Sequence, residues 1–116
     1  MQDRLGDKVR LQHILEAAKE IVKYVNGVTF DEFSENSMML NASVRQLEII
    51  GEASNRLSEN IHSENPNIPW RTIIGFRNVI VHEYFGLDDK IVWAVIQNEI
   101  PSLIQKVEII IQSIPS

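Results

Sequence analysis

The sequence predicts an all-α fold, an antiparallel bundle of four to five helices. Long segments repeat apolar residues at steps of three and four, which places those residues in one stripe along a helix. No segment alternates apolar and polar residues in the way that is typical of a strand. The clearest helix breakers, Gly27 and the stretch 65–69, fall between the long segments rather than inside them.

The first helix is predicted from Asp3 to Asn26. Gly27 follows it, at the position where a left-handed residue commonly ends a helix. Thr29 and Glu32 have the spacing of a capping box, in which each side chain bonds the backbone N–H of the other residue. We therefore expect a single helical turn after Gly27. The stripe of the first helix consists of Leu11, Ile14, Leu15, Ala18, Ile21, Val22 and Val25.

A strong breaker separates the second and third helices. The second is predicted over residues Ser37–Glu64, and Gly51 inside it costs about 1 kcal/mol relative to alanine. We interpret this glycine as the close crossing of another helix. Residues 65–69 then interrupt the pattern with two prolines. Pro69 suits the first position of a helix, so the third helix is predicted from Trp70 to about Glu83.

The fourth helix is predicted to begin at Asp88 or Asp89, since either carboxylate can cap a first turn. Pro101 is expected to kink it, because proline removes a backbone hydrogen bond inside a helix. Its end, residues 107–114, is apolar on more than one face. Either this helix is enclosed on all sides or a second subunit covers one face. In a bundle of this size we favour a homodimer.

Composition and charge limit the classes of protein. A length of 116 residues fits one domain, 1–116. There is no cysteine, which excludes disulfides, thiolate metal sites and cysteine nucleophiles. No apolar run reaches the roughly 20 residues of a membrane span, and the N-terminus is unlike a signal peptide, so we expect a cytoplasmic protein and no membrane contact. A net charge of −5 argues against coating nucleic acid but permits one local phosphate site.

The three histidines do not have the spacing of a metal site. His13, His62 and His82 are scattered, and none is paired with another at the four-residue step of a helical ligand pair. We therefore expect neither a metal nor another cofactor. His13 and His62 are interpreted as solvated or helix-boundary residues.

His82 stands in a different context, because polar residues interrupt an apolar segment around it. Arg77 and Asn78 precede it and Tyr84 follows it, within the otherwise apolar third helix. Asn78 and His82 are four residues apart and share a helix face, whereas Arg77 lies roughly 140° away from His82. Two interpretations follow. Arg77 makes a surface ion pair while His82 ends a helix, or both side chains bind one phosphate. The spacing alone favours the first.

Arg45 belongs to a polar face of the second helix that also carries Glu48, Glu52 and Arg56. These residues recur at steps of three and four and can form a solvated face of ion pairs. Alternatively, Arg45 adds positive charge to a cleft between the second and third helices, where it would contact a substrate. The sequence favours the ion pairs.

Several separated segments together resemble the HepT-like group of HEPN-domain proteins. They are residues 45–53, 68–71 and 75–86, followed by Val92-Trp93 and Ile100-Pro101. The resemblance covers nearly the whole chain. It implies a helical homodimer that is the toxin of a toxin–antitoxin pair. The implied activity is that of a metal-independent endoribonuclease acting on RNA, and the implied antitoxin partner is a small nucleotidyltransferase of the MntA type.

The resemblance also implies roles for individual residues. The Arg-x4-His-x-Tyr motif of this group corresponds here to Arg77, His82 and Tyr84, with Asn78 as the polar residue after the arginine. Arg77, Asn78 and His82 are then the catalytic residues, and Tyr84 is the residue to which the antitoxin attaches AMP. Two alternatives remain: a non-catalytic helical dimer that binds a nucleotidyltransferase or a nucleotide, and a purely structural dimer.

Overall fold

The computed structural model describes residues 4–78 and 88–115, except for the side chains of residues 4, 5 and 78. Within these ranges there is no strand, so the predicted all-α class is confirmed. The helices are α1 (Arg4–Val25), α2 (Phe30–Glu35), α3 (Ser37–Asn55), α4 (Glu59–Glu64), α5 (Trp70–Gly75), a 3₁₀ turn (Phe76–Asn78), α6 (Asp89–Asn98) and α7 (Ile100–Ser113).

Helix α1 is the centre of the bundle and packs along both α3 and α7. Its predicted stripe is largely confirmed, since Leu11, Ile14, Ala18 and Ile21 are fully buried, although Val22 remains exposed. The fully buried side chains that meet this stripe include Val44, Leu47, Ile50, Ile100 and Val107.

Two contacts at opposite ends show that α1 and α3 are antiparallel. Near the start of α1, the Asp7 carboxylate accepts hydrogen bonds from the backbone N–H and the hydroxyl of Ser58, at 2.9 and 2.7 Å. Near its end, the Tyr24 hydroxyl accepts from the side-chain amide of Gln46 at 3.2 Å. The residue early in α1 therefore meets the segment after α3, and the residue late in α1 meets the middle of α3.

The connection between α1 and α2 follows the sequence prediction. Gly27 has a φ of +73°, in the left-handed region that glycine enters without strain. The Thr29 backbone N–H donates to the Glu32 carboxylate at 2.9 Å, and the Glu32 N–H donates to the Thr29 hydroxyl at 3.2 Å. The capping box is thus confirmed, and it begins the short helix α2.

Helix α2 is fixed against α6 by aromatic packing. The ring of the buried Phe33 lies 5.0 Å from that of Trp93, and the ring of Phe30 lies 6.0 Å from it. The Ser34 hydroxyl also donates to the Asp89 carboxylate. Trp93 therefore serves as a packing anchor between two helices.

The prediction of one helix over residues Ser37–Glu64 was wrong, because the chain turns at Arg56–Ser58. The Ser58 hydroxyl accepts from the backbone N–H of Ile61 and so caps a new helix, α4. Leu57 and Ile61 are both buried, so the apolar stripe continues across the break. The stripe therefore gave no signal of the turn.

Helix boundaries near two prolines also differ from the expectation. Pro69 immediately precedes α5, which begins at Trp70, instead of being its first residue. Pro101 was expected to kink one long helix, but the chain forms two helices, with Pro101 in the first turn of α7. Its missing N–H has no intrahelical partner at that position, so it costs no hydrogen bond. The expectation that Asp88 or Asp89 caps the fourth helix is resolved in favour of Asp88.

Candidate active site

Arg77 is placed by a short helix that is firmly docked on the bundle. The indole N–H of Trp70 donates to the carbonyl of Asn65 at 3.0 Å, and its ring lies 4.9 Å from the imidazole of His62. Ile73 and Phe76 are buried on either side of the helix end. The first helix turn and the last therefore both have anchors, and the half-buried Arg77 follows directly after them.

The third helix was predicted over residues 70–83, and the structure differs from this prediction in the described part of that range. Helix α5 ends at Gly75, and the chain continues as a 3₁₀ turn through Asn78. A 3₁₀ turn has three residues per turn, so the angle of about 140° derived for a continuous α-helix does not apply at Arg77. His82 and Tyr84 lie outside the described residues, as does the side chain of Asn78, and their roles remain predictions.

Gly51 allows the backbone of α3 to lie directly against Arg77. A Cβ atom at Gly51 would be 2.6 Å from the backbone nitrogen of Arg77 and 3.0 Å from the carbonyl oxygen of Ile74. Real Cβ atoms essentially never approach backbone atoms so closely. The interpretation of Gly51 as a close crossing is therefore confirmed, and the element that crosses is the one that carries Arg77.

Glu52 is the acidic residue next to the Arg77 side chain. Its Oε2 lies 3.8 Å from Arg77 Nη1, while its Oε1 accepts a hydrogen bond from Arg56 Nε at 3.0 Å. A separation of 3.8 Å is an ion pair but too long for a hydrogen bond. The side chain of Arg77 is 38% exposed. Because a guanidinium has five N–H donors, it retains donors for an anion.

A groove of about 680 Å³ lies beside Arg77. We call it the α1–α3 groove, because nearly all its other lining residues come from these two helices. Its α3 side consists of Arg45, Glu48, Ile49, Glu52, Ala53 and Arg56. Arg45 is 70% exposed and lies 3.8 Å from Glu48. The structure thus brings Arg45 and Arg77 to one groove, and it also contains the ion pairs of the simpler interpretation.

The α1 side of the groove was not found from the sequence. It consists of Gly6, Val9, Arg10 and His13, which recur at steps of three and one. This spacing marks one helix face and was a usable signal. What the sequence lacked was the knowledge that this face lies opposite Arg45 and Arg77. His13, interpreted as a solvated or boundary residue, is exposed but belongs to the groove.

Within the part of the chain that the structure describes, we find neither a metal-binding cluster nor a membrane-spanning helix. No group of three or more His, Cys, Asp or Glu side chains there is arranged to hold a metal ion. None of its helices combines the length and the apolar character that crossing a membrane requires.

The sequence of the chain is similar to a known protein family. The sequence profile of the family described as Ribonuclease HepT-like matches residues 14–110, which is most of the chain. The chain belongs to the Ribonuclease HepT-like family. Both α3 with Gly51 and the turn with Arg77 lie inside the matched region of this HepT-like protein.

Relatives of this HepT-like protein come from archaea and bacteria. It is 36% identical over 103 residues to a candidate RNase of Methanocaldococcus jannaschii, covering 89% of the chain and 94% of the relative. It is 38% identical over 102 residues to a candidate RNase of Caldanaerobacter subterraneus subsp. tengcongensis, covering 88% and 91%. A relative from Thermococcus cleftensis, named as a candidate ribonuclease HepT, is 36% identical over 98 residues, covering 84% and 89%. No solved structure matches the chain.

Proposed function

We propose that this HepT-like protein is a metal-independent endoribonuclease and the toxin of a toxin–antitoxin pair. The observation that carries the proposal is the placement of Arg77. A docked turn holds its partly exposed side chain at a groove that three other arginines line. This acidic chain therefore concentrates positive charge at the groove, and RNA phosphates need such a place.

The proposed reaction is attack of an RNA 2′-hydroxyl on the adjacent phosphorus. The 2′-oxygen gains the bond to phosphorus, the bond to the 5′-oxygen breaks, and the products are a 2′,3′-cyclic phosphate and a 5′-hydroxyl. His82 takes the proton of the 2′-hydroxyl or supplies the proton to the leaving 5′-oxygen. Arg77 stabilises the charge on the non-bridging oxygens, for which a planar guanidinium with paired donors is well suited. Asn78 orients His82 or binds the phosphate, and Arg45 contacts the substrate.

The proposed partner is a nucleotidyltransferase antitoxin of the MntA type, which attaches AMP to the Tyr84 hydroxyl. Tyr84 follows His82 by two residues, so an added nucleotide brings bulk and a negative phosphate next to the catalytic residues. Substrate RNA is then excluded by sterics and by like charge. We further propose that the chain is one cytoplasmic domain and acts as a homodimer. The exposed Ile109 on α7 supports a partner surface on that helix.

The competing proposal is a non-catalytic dimer that binds a nucleotide or docks a nucleotidyltransferase. The groove favours nucleotide binding to some degree, since its 680 Å³ is within the roughly 300–1,000 Å³ of small-molecule sites. Both proposals use the same arginines. Only turnover separates them.

The test is incubation of purified protein, with Tyr84 confirmed unmodified, with total cellular RNA in EDTA. We expect cleavage to cyclic phosphate ends by the wild type and by Arg71→Ala, an exposed arginine of α5 outside the groove. His82→Ala should lower the rate by roughly 10²–10⁴-fold and Arg77→Ala by roughly 10²–10³-fold. Loss of cleavage in EDTA would contradict metal independence. Absence of cleavage by a dimeric, unmodified wild type would favour the binding protein.

A further inference from the structure

Positive charge is unevenly distributed over the molecule. The α1–α3 groove is lined by four of the six arginines, Arg10, Arg45, Arg56 and Arg77, and by two glutamates. The groove therefore has a formal charge of +2. Because the whole chain has a net charge of −5, all other residues together carry −7. A polyanion is thus attracted to this groove and repelled by the remaining surface.

Arg10 differs from the other three arginines of the groove, because no acidic side chain in residues 4–78 and 88–115 pairs with it. Arg45, Arg56 and Arg77 each lie within 4 Å of a glutamate. Among the described residues, no side-chain hydrogen bond or ion pair is formed by Arg10 or by its neighbour on the same face, His13. Arg10 is nevertheless half-buried against the groove. An arginine without a counter-ion gains more from an incoming phosphate than one that must first separate from a carboxylate.

The groove also has apolar lining residues. Val9 is 41% exposed there, and Ile49 and Ala53 lie opposite it on α3. Single-stranded RNA presents both phosphates and unstacked bases, and proteins bind those bases on apolar surfaces and on the planes of guanidinium and imidazole groups. Duplex RNA offers no free base faces to such residues. The combination of arginines and apolar residues in one groove therefore matches a single strand.

We propose that the α1–α3 groove binds the single-stranded RNA that flanks the cleaved phosphate, with Arg10 contacting a flanking phosphate and His13 a base. The inference rests on the proposed function, since it takes Arg77 as the position of the cleaved phosphate. It extends the substrate site from α3 and the 3₁₀ turn to helix α1. Arg10 acts in substrate binding and not in the chemical step.

The test measures binding of a fluorescein-labelled oligouridylate to His82→Ala protein over a range of salt concentrations. For a single strand, each phosphate contact contributes about 0.7 to the slope of log K against log salt. Adding Arg10→Ala should weaken binding several-fold and flatten the slope by about that amount, and Arg10→Lys should restore most of the slope. His13→Ala should weaken binding with little change in slope. Arg71→Ala is the matched control and should change neither quantity.

In the otherwise wild-type chain, Arg10→Ala should raise KM for RNA and leave kcat unchanged, which is the signature of lost substrate binding alone. An unchanged affinity and slope in Arg10→Ala would overturn the inference even if His82→Ala still abolished cleavage. Conversely, a flattened slope in a protein that cleaves no RNA would support the groove and contradict the proposed activity.

Sedimentation of the same variants separates RNA binding from subunit contact. We expect Arg10→Ala to keep the mass of the wild type. If the mass fell instead, the groove would be a subunit interface, and the inference about RNA would be overturned.

Discussion

Gly51 and Gly75 are both helical glycines, but their surroundings are opposite. A Cβ at Gly51 would be 2.6 Å from the Arg77 backbone nitrogen, whereas a Cβ at Gly75 has nothing within 4 Å. Replacing Gly51 with alanine therefore tests the close crossing of α3 with the turn that carries Arg77. Replacing Gly75 with alanine adds the same methyl group to α5 and tests only helix propensity.

Gly51→Ala should destabilise the fold by about 1–3 kcal/mol, because backbone atoms must move to admit the methyl group. It should also lower RNA cleavage more than the loss of folded protein explains, since a shift of about 1 Å in a catalytic group can cost 10²-fold. Gly75→Ala should be neutral or stabilising by up to about 1 kcal/mol. Urea unfolding and cleavage rates measure both effects. Equal stability of the two variants would contradict the close crossing.

Asp7 is a carboxylate that is only 3% exposed, and both of its hydrogen bonds come from Ser58, 51 residues later in the chain. Asp7→Ala would leave the half-buried Ser58 donors without a partner. We expect a loss of about 1–3 kcal/mol in the free energy of unfolding. Glu16→Ala, at an exposed acidic position of the same helix, should change stability by less than about 0.5 kcal/mol. Thermal unfolding that does not distinguish the two would refute this role of Asp7.

Among individual residues, the sequence named Arg45 as a candidate substrate contact and, through the family resemblance, Arg77 as catalytic, although spacing alone favoured ion pairs at both. Both arginines line one groove, and their roles stay predictions. Arg10 was missed, because its part in the groove depends on which face of α1 meets α3. That arrangement is set by tertiary packing and has no local signal. The predicted catalytic role of His82 stays a prediction, since the residue lies outside the described ranges.

Helix ends that nearby residues determine were predicted from the sequence, whereas an end that a distant residue determines was missed. The ends of α1 and α2 were predicted well, because Gly27 and the Thr29–Glu32 pair act within a few residues of the end they define. The turn at Arg56–Ser58 was missed, because the carboxylate that bonds Ser58 comes from the start of the chain. Apolar periodicity predicts which face of a helix is buried but not where a distant residue ends it.

The capping box of α2 should respond to acid. The backbone N–H of Thr29, and to a lesser extent its hydroxyl, donates to the Glu32 carboxylate and lowers its pKa from the ordinary 4.5. A lowered pKa means that the charged form is favoured by folding. The contribution of the cap is therefore present above the ordinary pKa and is lost as the pH falls through the lowered value.

An NMR titration of the Thr29 amide should therefore show its hydrogen bond weakening below pH 4.5. Glu32→Gln, which keeps an acceptor but cannot titrate, should remove this pH dependence. A Thr29 amide shift that stays constant into strong acid would contradict the capping interaction at this pair.

For the whole molecule, the proposed dimer makes a prediction about α7. Ile109 is 66% exposed on that helix, while Ile91 on α6 is 53% exposed. A charge at either position should leave the monomer folded, since neither side chain is in the core. Ile109→Asp should dissociate the dimer, because an aspartate in an apolar subunit contact loses its hydration without gaining a partner. Ile91→Asp should not.

Sedimentation at micromolar concentration checks this, with a monomer mass of 13.3 kDa as the reference. The wild type and Ile91→Asp should have twice that mass, and Ile109→Asp should have the monomer mass. A wild type at 13.3 kDa would exclude the dimer at that concentration. Three dimeric proteins would instead place the subunit contact away from Ile109.

The uneven charge of the α1–α3 groove and its surroundings also gives the molecule an electric dipole. A strand of RNA diffusing nearby exerts a torque on the protein, which turns the groove towards the RNA before any contact forms. The dipole therefore influences how fast and in what orientation the two molecules meet, separately from how tightly they hold together. Dissolved ions shorten the reach of that field to about 10 Å at 0.1 M salt. Association should consequently slow with rising ionic strength well before the bound complex is fully weakened.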